Sequence, residues 1–175
     1  LGKLVFRPHA DQTHVLTAEQ RHQDTAVENL HDFDNGTTRR HTEDMGSTRS
    51  RLSLQSDWRV DSPAADRLLS YVAWQDSSSE QDLVLDTTTV NGLRLRDHRY
   101  DERQWQLGLT ARKQIGSHRL SYGFDMSRMD SQTQSLSTDR GVTTSVPKGP
   151  DSRSDRWGMF VQDVMHFGDW TVQPG

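Results

Sequence analysis

Hydrophobic and polar residues alternate along this chain in short runs that crowd around tight turns and then fade. Leu52, Leu54, Trp58 and Val60 precede the turn signal Asp61–Asp66, and Leu68, Leu69, Tyr71, Val72 and Trp74 follow it. Trp105, Leu107, Leu109 and Ala111 precede Gly116-Ser117, and Leu120, Tyr122, Phe124 and Met126 follow. Pro8–Gln12 and Gly168-Asp169 complete the set, so short turns recur at roughly fifty-residue intervals with a long polar connection between each pair. A period of two is that of a strand with unlike faces. About ten residues from each turn the apolar pattern stops, and Ser, Asp, Gln, Thr and Arg take over. A soluble sheet has little reason to confine its apolar band to one end of every hairpin, whereas a membrane barrel needs a belt of about 9–11 residues per strand. The pattern therefore predicts an all-β chain: an antiparallel up-and-down transmembrane β-barrel segment of about eight strands, incomplete at both ends.

In chain order, strands are expected over Leu1–Arg7, Thr13–Gln23, Arg49–Val60, Arg67–Gln75, Tyr100–Lys113 and His118–Met129, with a last pair around Gly168-Asp169. In Arg49–Val60 the apolar residues alternate with Arg51, Ser53, Gln55, Asp57 and Arg59, so a one-residue slip would carry charges into lipid at a few kcal/mol for each basic one near the midplane. Arg51, Asp57, Arg59, Gln104, Arg112, Arg119 and Asp125 are accordingly assigned to the interior wall, to pair with one another or with whatever fills the barrel, or to stand as a solvated charge ladder. Asp24–Thr48 and Asp130–Asp155 are expected to be external loops, the first with extended stems, and Asn91-Gly92 the tip of an external hairpin.

Composition adjusts this picture little. Hydrophobic content of 31% and a mean hydropathy of -0.90 would leave a soluble globule a lean core, yet they suit strands that show lipid only one face. A net charge of -4 and the lack of a Lys/Arg stripe interleaved with aromatics argue against nucleic acid. Without cysteine there is no disulfide framework or thiolate metal site. No apolar run approaches eighteen residues, as a membrane helix requires. Leu1 without a preceding Met, and Gly175 just as a strand begins, suggest a piece of a longer protein.

The string RWGMFVQDVMHFGDWTVQPG resembles a strand pair of TonB-dependent outer-membrane receptors, in which an aromatic-x-x-Phe-x-Gln-Asp strand turns into an apolar-Thr-x-x-Pro-Gly strand. SHRLSYGFDMSR, GPDSRSDRWG and LGKLVFRP are similar to segments of the subfamily that takes haem, haemoglobin, transferrin or lactoferrin. The resemblance implies a large single-chain barrel around a plug, with residues 1–175 forming part of the barrel and the plug domain and carboxy-terminal strands lying outside it. It implies no intrinsic cofactor, haem as a possible transported ligand, and as partners the TonB system through the plug, a haem-carrying protein and outer-membrane lipid. The Phe-Arg-Ala-Pro and Asn-Pro-Asn-Leu motifs that mark haem receptors are missing, so the family's haem ligands transfer to no position here. The alternatives are a siderophore receptor of the same superfamily, a passive porin-like channel, and a soluble all-β binding module.

Candidate chemistry is sparse. His22, His31 and His41 lie in or beside the first long polar segment, on the side where a ligand arrives, and haem iron accepts imidazole. Their separations match no compact metal site, and solvated loop histidines are common. His31 and His41 are the ligand-binding candidates. Asp32, Asp34, Gly36 and Glu43 imitate part of a calcium loop with the glycine one place early and Arg39 and Arg40 among the would-be ligands. Asn35-Gly36-Thr37 is a chance sequon in a bacterial setting. No catalytic motif appears, and Asp101-Glu102, adjacent on a strand, point to opposite faces.

Overall fold

A computed structural model describes residues 1–29, 38–87, 92–146 and 151–174. The described residues form one nine-stranded antiparallel sheet: β1 (Gly2–Phe6), β2 (Gln12–Asn29), β3 (Thr38–Arg59), β4 (Arg67–Thr87), β5 (Leu93–Ile115), β6 (His118–Asp139), β7 (Val142–Ser145), β8 (Ser152–Phe167) and β9 (Trp170–Val172). Each strand pairs with its sequence neighbour, except that β8 pairs with β6 and β7 folds back on the upper part of β6. The path is open, with edges at β1 and β9.

Register assembles the alternating residues into one apolar face. Leu4, Leu16, Leu54, Val72, Leu107, Met126 and Trp157 sit opposite one another in a single row across seven strands. Neighbouring rows carry Leu52, Trp74 and Trp105 on one side and Leu109, Phe124 and Met159 on the other. Among the described residues nothing packs over them. Every contact between elements runs between hydrogen-bonded neighbours, and the only buried apolar residues among those described are Ala65, Ala73 and Ala111. Leu52, Leu54, Trp105 and Leu107, at 46, 42, 52 and 39% exposed, lie beneath no second sheet or helix of the described residues. A single layer without a core is not a sandwich; its apolar face needs a nonaqueous solvent, and its backbone pairing is what lipid demands of a strand.

The apolar band is bounded on both sides. On this face Asp76 meets Arg103 at 3.2 Å and Asp130 meets Arg153 at 2.6 Å, in one row that runs from β4 to β8. Arg128 and Asp155 pair at 2.6 Å one row lower. At the other edge Lys113 reaches Asp66 at 2.5 Å, Tyr122 donates to the Ala64 carbonyl at 2.5 Å, and His118 meets Asp163 at 2.7 Å. Four outward positions on β5, from Trp105 to Ala111, separate the two edges. About ten residues at ~3.3 Å, tilted by roughly 40°, give a band about 25 Å high, the hydrocarbon thickness a barrel presents. Trp74 and Trp105 pack at the upper edge with centroids 6.4 Å apart, and Phe6, His14 and Trp58 group near the lower.

The strands do not end where the apolar pattern does. β3, β4, β5 and β6 run 22, 21, 23 and 22 residues, roughly twice what crosses a membrane. Asp24–Thr48, expected as a loop with extended stems, is strand over Asp24–Asn29 and Thr38–Thr48, so the stems are longer than expected, and residues 30–37 between them lie outside the described residues. Asp130–Asp155 is likewise mostly strand: β6 continues to Asp139, turns at Arg140-Gly141 with φ of 53° and 78°, and returns as β7. Above the belt both faces are wet, so side-chain alternation lapses while backbone pairing persists. Gly92 has the positive φ of 59° expected at a hairpin tip and its carbonyl accepts from Thr87 N–H at 3.2 Å; Asn91 lies outside the described residues.

Candidate functional site

The face opposite the apolar band is polar and looks into the barrel lumen. Arg51, Asp57, Arg59, Gln104, Arg112, Arg119 and Asp125 all fall on it by register, as the alternation predicted. Glu19 accepts from Arg49 at 2.5 Å, Arg51 donates to the Tyr71 oxygen, and the Tyr71 hydroxyl donates onward to Gln106 at 3.5 Å. Asp57 takes both guanidinium donors of Arg67, the first at 2.6 Å. The missing side chain of Gly108 and the shortness of Thr13 and Thr110 leave a 420 Å³ hollow in this wall, with Val15, Leu69 and Tyr71 around it.

Above the belt the same face carries the candidate ligand groups. His41 on β3 stands opposite Leu85, half-buried, with Nε2 3.8 Å from a Glu43 oxygen; Glu43 also accepts from Gln81. Across β4 and β5 follow His98, whose Nδ1 lies 2.7 Å from the Ser135 hydroxyl, and Tyr100, which donates to Glu102 at 2.8 Å. That hydrogen bond, then burial and the carboxylate charge, push the Tyr100 hydroxyl above its ordinary pKa, keeping it a donor. Arg94 meets Asp139 at 3.2 Å on this face. A molecule entering from the hairpin tips thus passes imidazole, phenol and guanidinium groups set on paired strands.

His31 lies outside the described residues, as do Asp32, Asp34, Gly36 and the sequon. His22 is on the opposite face from His41, between Thr48 at 3.0 Å and Asp24 at 2.8 Å, so the two do not form one site. Among the described residues no three metal-ligating side chains stand together. His98 and Tyr100 were missed in the sequence, where no apolar alternation marks their register. The strand pair of the sequence resemblance forms as β8 with β9 around Gly168-Asp169, while His118 and Asp163 bond across β6 and β8, at the lower edge of the apolar face rather than in the lumen.

A family model described as "TonB dependent receptor-like, beta-barrel" matches residues 6–175. Among curated proteins none matches the chain.

Proposed function

Because the chain belongs to the TonB-dependent receptor-like β-barrel family, whose members are outer-membrane transporters, we propose that it is the barrel wall and external extension of a receptor for haem or a haem-carrying protein. The observation that carries this reading is His41, an imidazole on the lumen face of a strand that rises well above the lipid belt. Haem iron accepts imidazole, and its carboxylates suit a wall that also bears Arg94 and Arg96. His31, in the same stretch of sequence, is the second candidate ligand. Residues 1–175 are read as part of one barrel domain, with a plug and the remaining strands elsewhere in the polypeptide. The chain has no cofactor of its own and no catalytic step. Capture occurs at the external extensions, and passage follows plug rearrangement driven through TonB.

The test is haem titration of the full-length receptor, followed by Soret absorbance, with His31→Ala and His41→Ala combined. The expected outcome is a loss of affinity of at least tenfold, with the Soret maximum shifted by the lost imidazole. Unchanged affinity and spectrum removes His31 and His41 as ligands, and a parent receptor that gives no haem titration at all removes the haem reading and leaves the siderophore reading of the same superfamily.

A further inference from the structure

Just above the apolar band, on the lumen face, two guanidinium groups border a hollow lined with hydroxyls. Arg21 and Arg49 are directly opposed on β2 and β3, one residue above the row of rim ion pairs and on the other face of the sheet. Like charges placed opposite one another in a sheet repel. The acids on this face are already engaged: Glu19 accepts from Arg49 at 2.5 Å and stands opposite Arg51, and Glu102 takes the Tyr100 hydroxyl at 2.8 Å. Arg21 bonds the neutral Gln23 at 3.1 Å and enters no ion pair among the described residues. The Arg49 Nε is buried and has no acceptor, an arrangement that native structures avoid unless a ligand or solvent supplies one. The hollow measures 280 Å³, and Ser47, Ser77, Ser79 and Tyr100 line it together with the two arginines.

From this we infer that the hollow is a binding site for one oxyanion group, a carboxylate or a phosphate carried by a small molecule in the lumen, with Arg21 and Arg49 as its charge partners and the serine hydroxyls as further donors. Guanidinium forks match the planar spacing of oxyanion oxygens, and two of them on neighbouring strands, ~4.8 Å apart, can close on a single group. Serine side chains are short enough to leave that space open, and each hydroxyl can turn its proton toward an acceptor. The site is separate from the imidazole of the proposed function, since His41 lies eight residues further up β3, about 26 Å away at ~3.3 Å per residue. The inference rests on the barrel wall of the proposed function and not on haem as the molecule carried.

The chain has no cysteine, and Ser47 is exposed and makes no side-chain hydrogen bond among the described residues, so Ser47→Cys sets a single thiol in the hollow. Its reaction with an anionic and with a cationic methanethiosulfonate, each normalised to a free thiol, is followed in the full-length receptor. A cleft lined by one sign of charge concentrates its counter-ion, so the anionic reagent should react at least tenfold faster, and that preference should fall at least fivefold in Arg21→Gln/Arg49→Gln. Millimolar citrate or inorganic phosphate should slow the anionic reaction; shielding by citrate alone marks a carboxylate source, and by phosphate alone a phosphate one. Arg21→Gln by itself keeps the Arg49–Glu19 pair, should lower the preference at least twofold, and decides if the double variant does not fold. Equal rates, a preference that survives neutralisation, no shielding by either anion, or slow reaction with both reagents overturns the inference. Haem titration reads none of these rates, so the two proposals fail separately.

Discussion

Leu107→Arg, set against Gln106→Arg, isolates the role of the apolar face. Leu107 lies between Val72 and Met126 in the middle row, four residues from Arg103 at the upper rim and four from Ala111 near the lower. Placed there, arginine sits close to the bilayer midplane, where a basic residue on the lipid face costs about 2–4 kcal/mol. That corresponds to roughly thirty-fold to several-hundred-fold in the folded-to-unfolded ratio. Gln106 is the adjacent residue in the same strand, but it faces Ala73 and Ser127 across the lumen wall, beside Tyr71. Arginine there keeps its water, and the cost should stay within about 1 kcal/mol. The full-length receptor, unfolded reversibly by urea in phospholipid vesicles and followed by tryptophan emission, gives both values. Propensity, charge and position along the strand are matched, so only the face differs. Equal costs, or a larger cost at Gln106, would refute the lipid-facing assignment.

Two further outcomes follow from local geometry. A Cβ at Gly123 would stand 2.1 Å from the Leu109 carbonyl oxygen, a backbone atom that cannot swing aside, so Gly123→Ala should destabilise the receptor by about 1–3 kcal/mol in the same urea assay, whereas Gly108→Ala, with nothing within 4 Å, should be neutral within about 0.5 kcal/mol. The Gln114 amide and then Lys113 hold the Asp66 carboxyl below its ordinary pKa. Its contribution to stability is therefore full above the unfolded aspartate value and is lost as pH falls through the lower folded value, so Asp66→Asn should flatten the acid-side decline of the unfolding midpoint below about pH 5. An unchanged slope would show that the turn does not depend on that carboxylate.

Sidedness within the belt was legible because two solvents act on each strand there. Leu52, Leu54, Leu107 and Met126 alternate with Arg51, Ser53, Gly108 and Asp125, and the register could be read without any structure. Val15 and Leu69 show the limit: they are apolar yet sit on the lumen wall, and only pairing with Gln55 and with Asp57 and Thr110 places them. Above the belt the limit is more general. Ser77, Ser78 and Ser79 continue β4 without any change in polarity between faces, so hydrogen bonding alone defines the strand. β7 did carry a signal, since Val142, Thr143 and Thr144 favour extended backbone directly after the Arg140-Gly141 turn. His41 was found as a residue type, but its face and its neighbours His98 and Tyr100 depend on register through that featureless stretch.

The placement of charge separates the two faces as firmly as hydrophobicity does. Among the described residues the apolar band itself is free of charge between its edges, and the charged groups at those edges are matched: Asp76 with Arg103, Arg128 with Asp155, Asp130 with Arg153, Lys113 with Asp66, His118 with Asp163. At a headgroup boundary an unmatched charge is drawn toward a medium that cannot solvate it, so pairing on the sheet itself is the stable arrangement. At the level of the belt, the described lumen face carries the basic residues Lys3, Arg51, Arg59, Arg67, Arg112, Arg119 and Arg156 against the acids Glu19, Asp57 and Asp125, although the chain as a whole has a net charge of -4. Water in the lumen tolerates that imbalance, as water tolerates Asp44, Asp82 and Asp97 opposed on neighbouring strands above the band, whereas lipid would not.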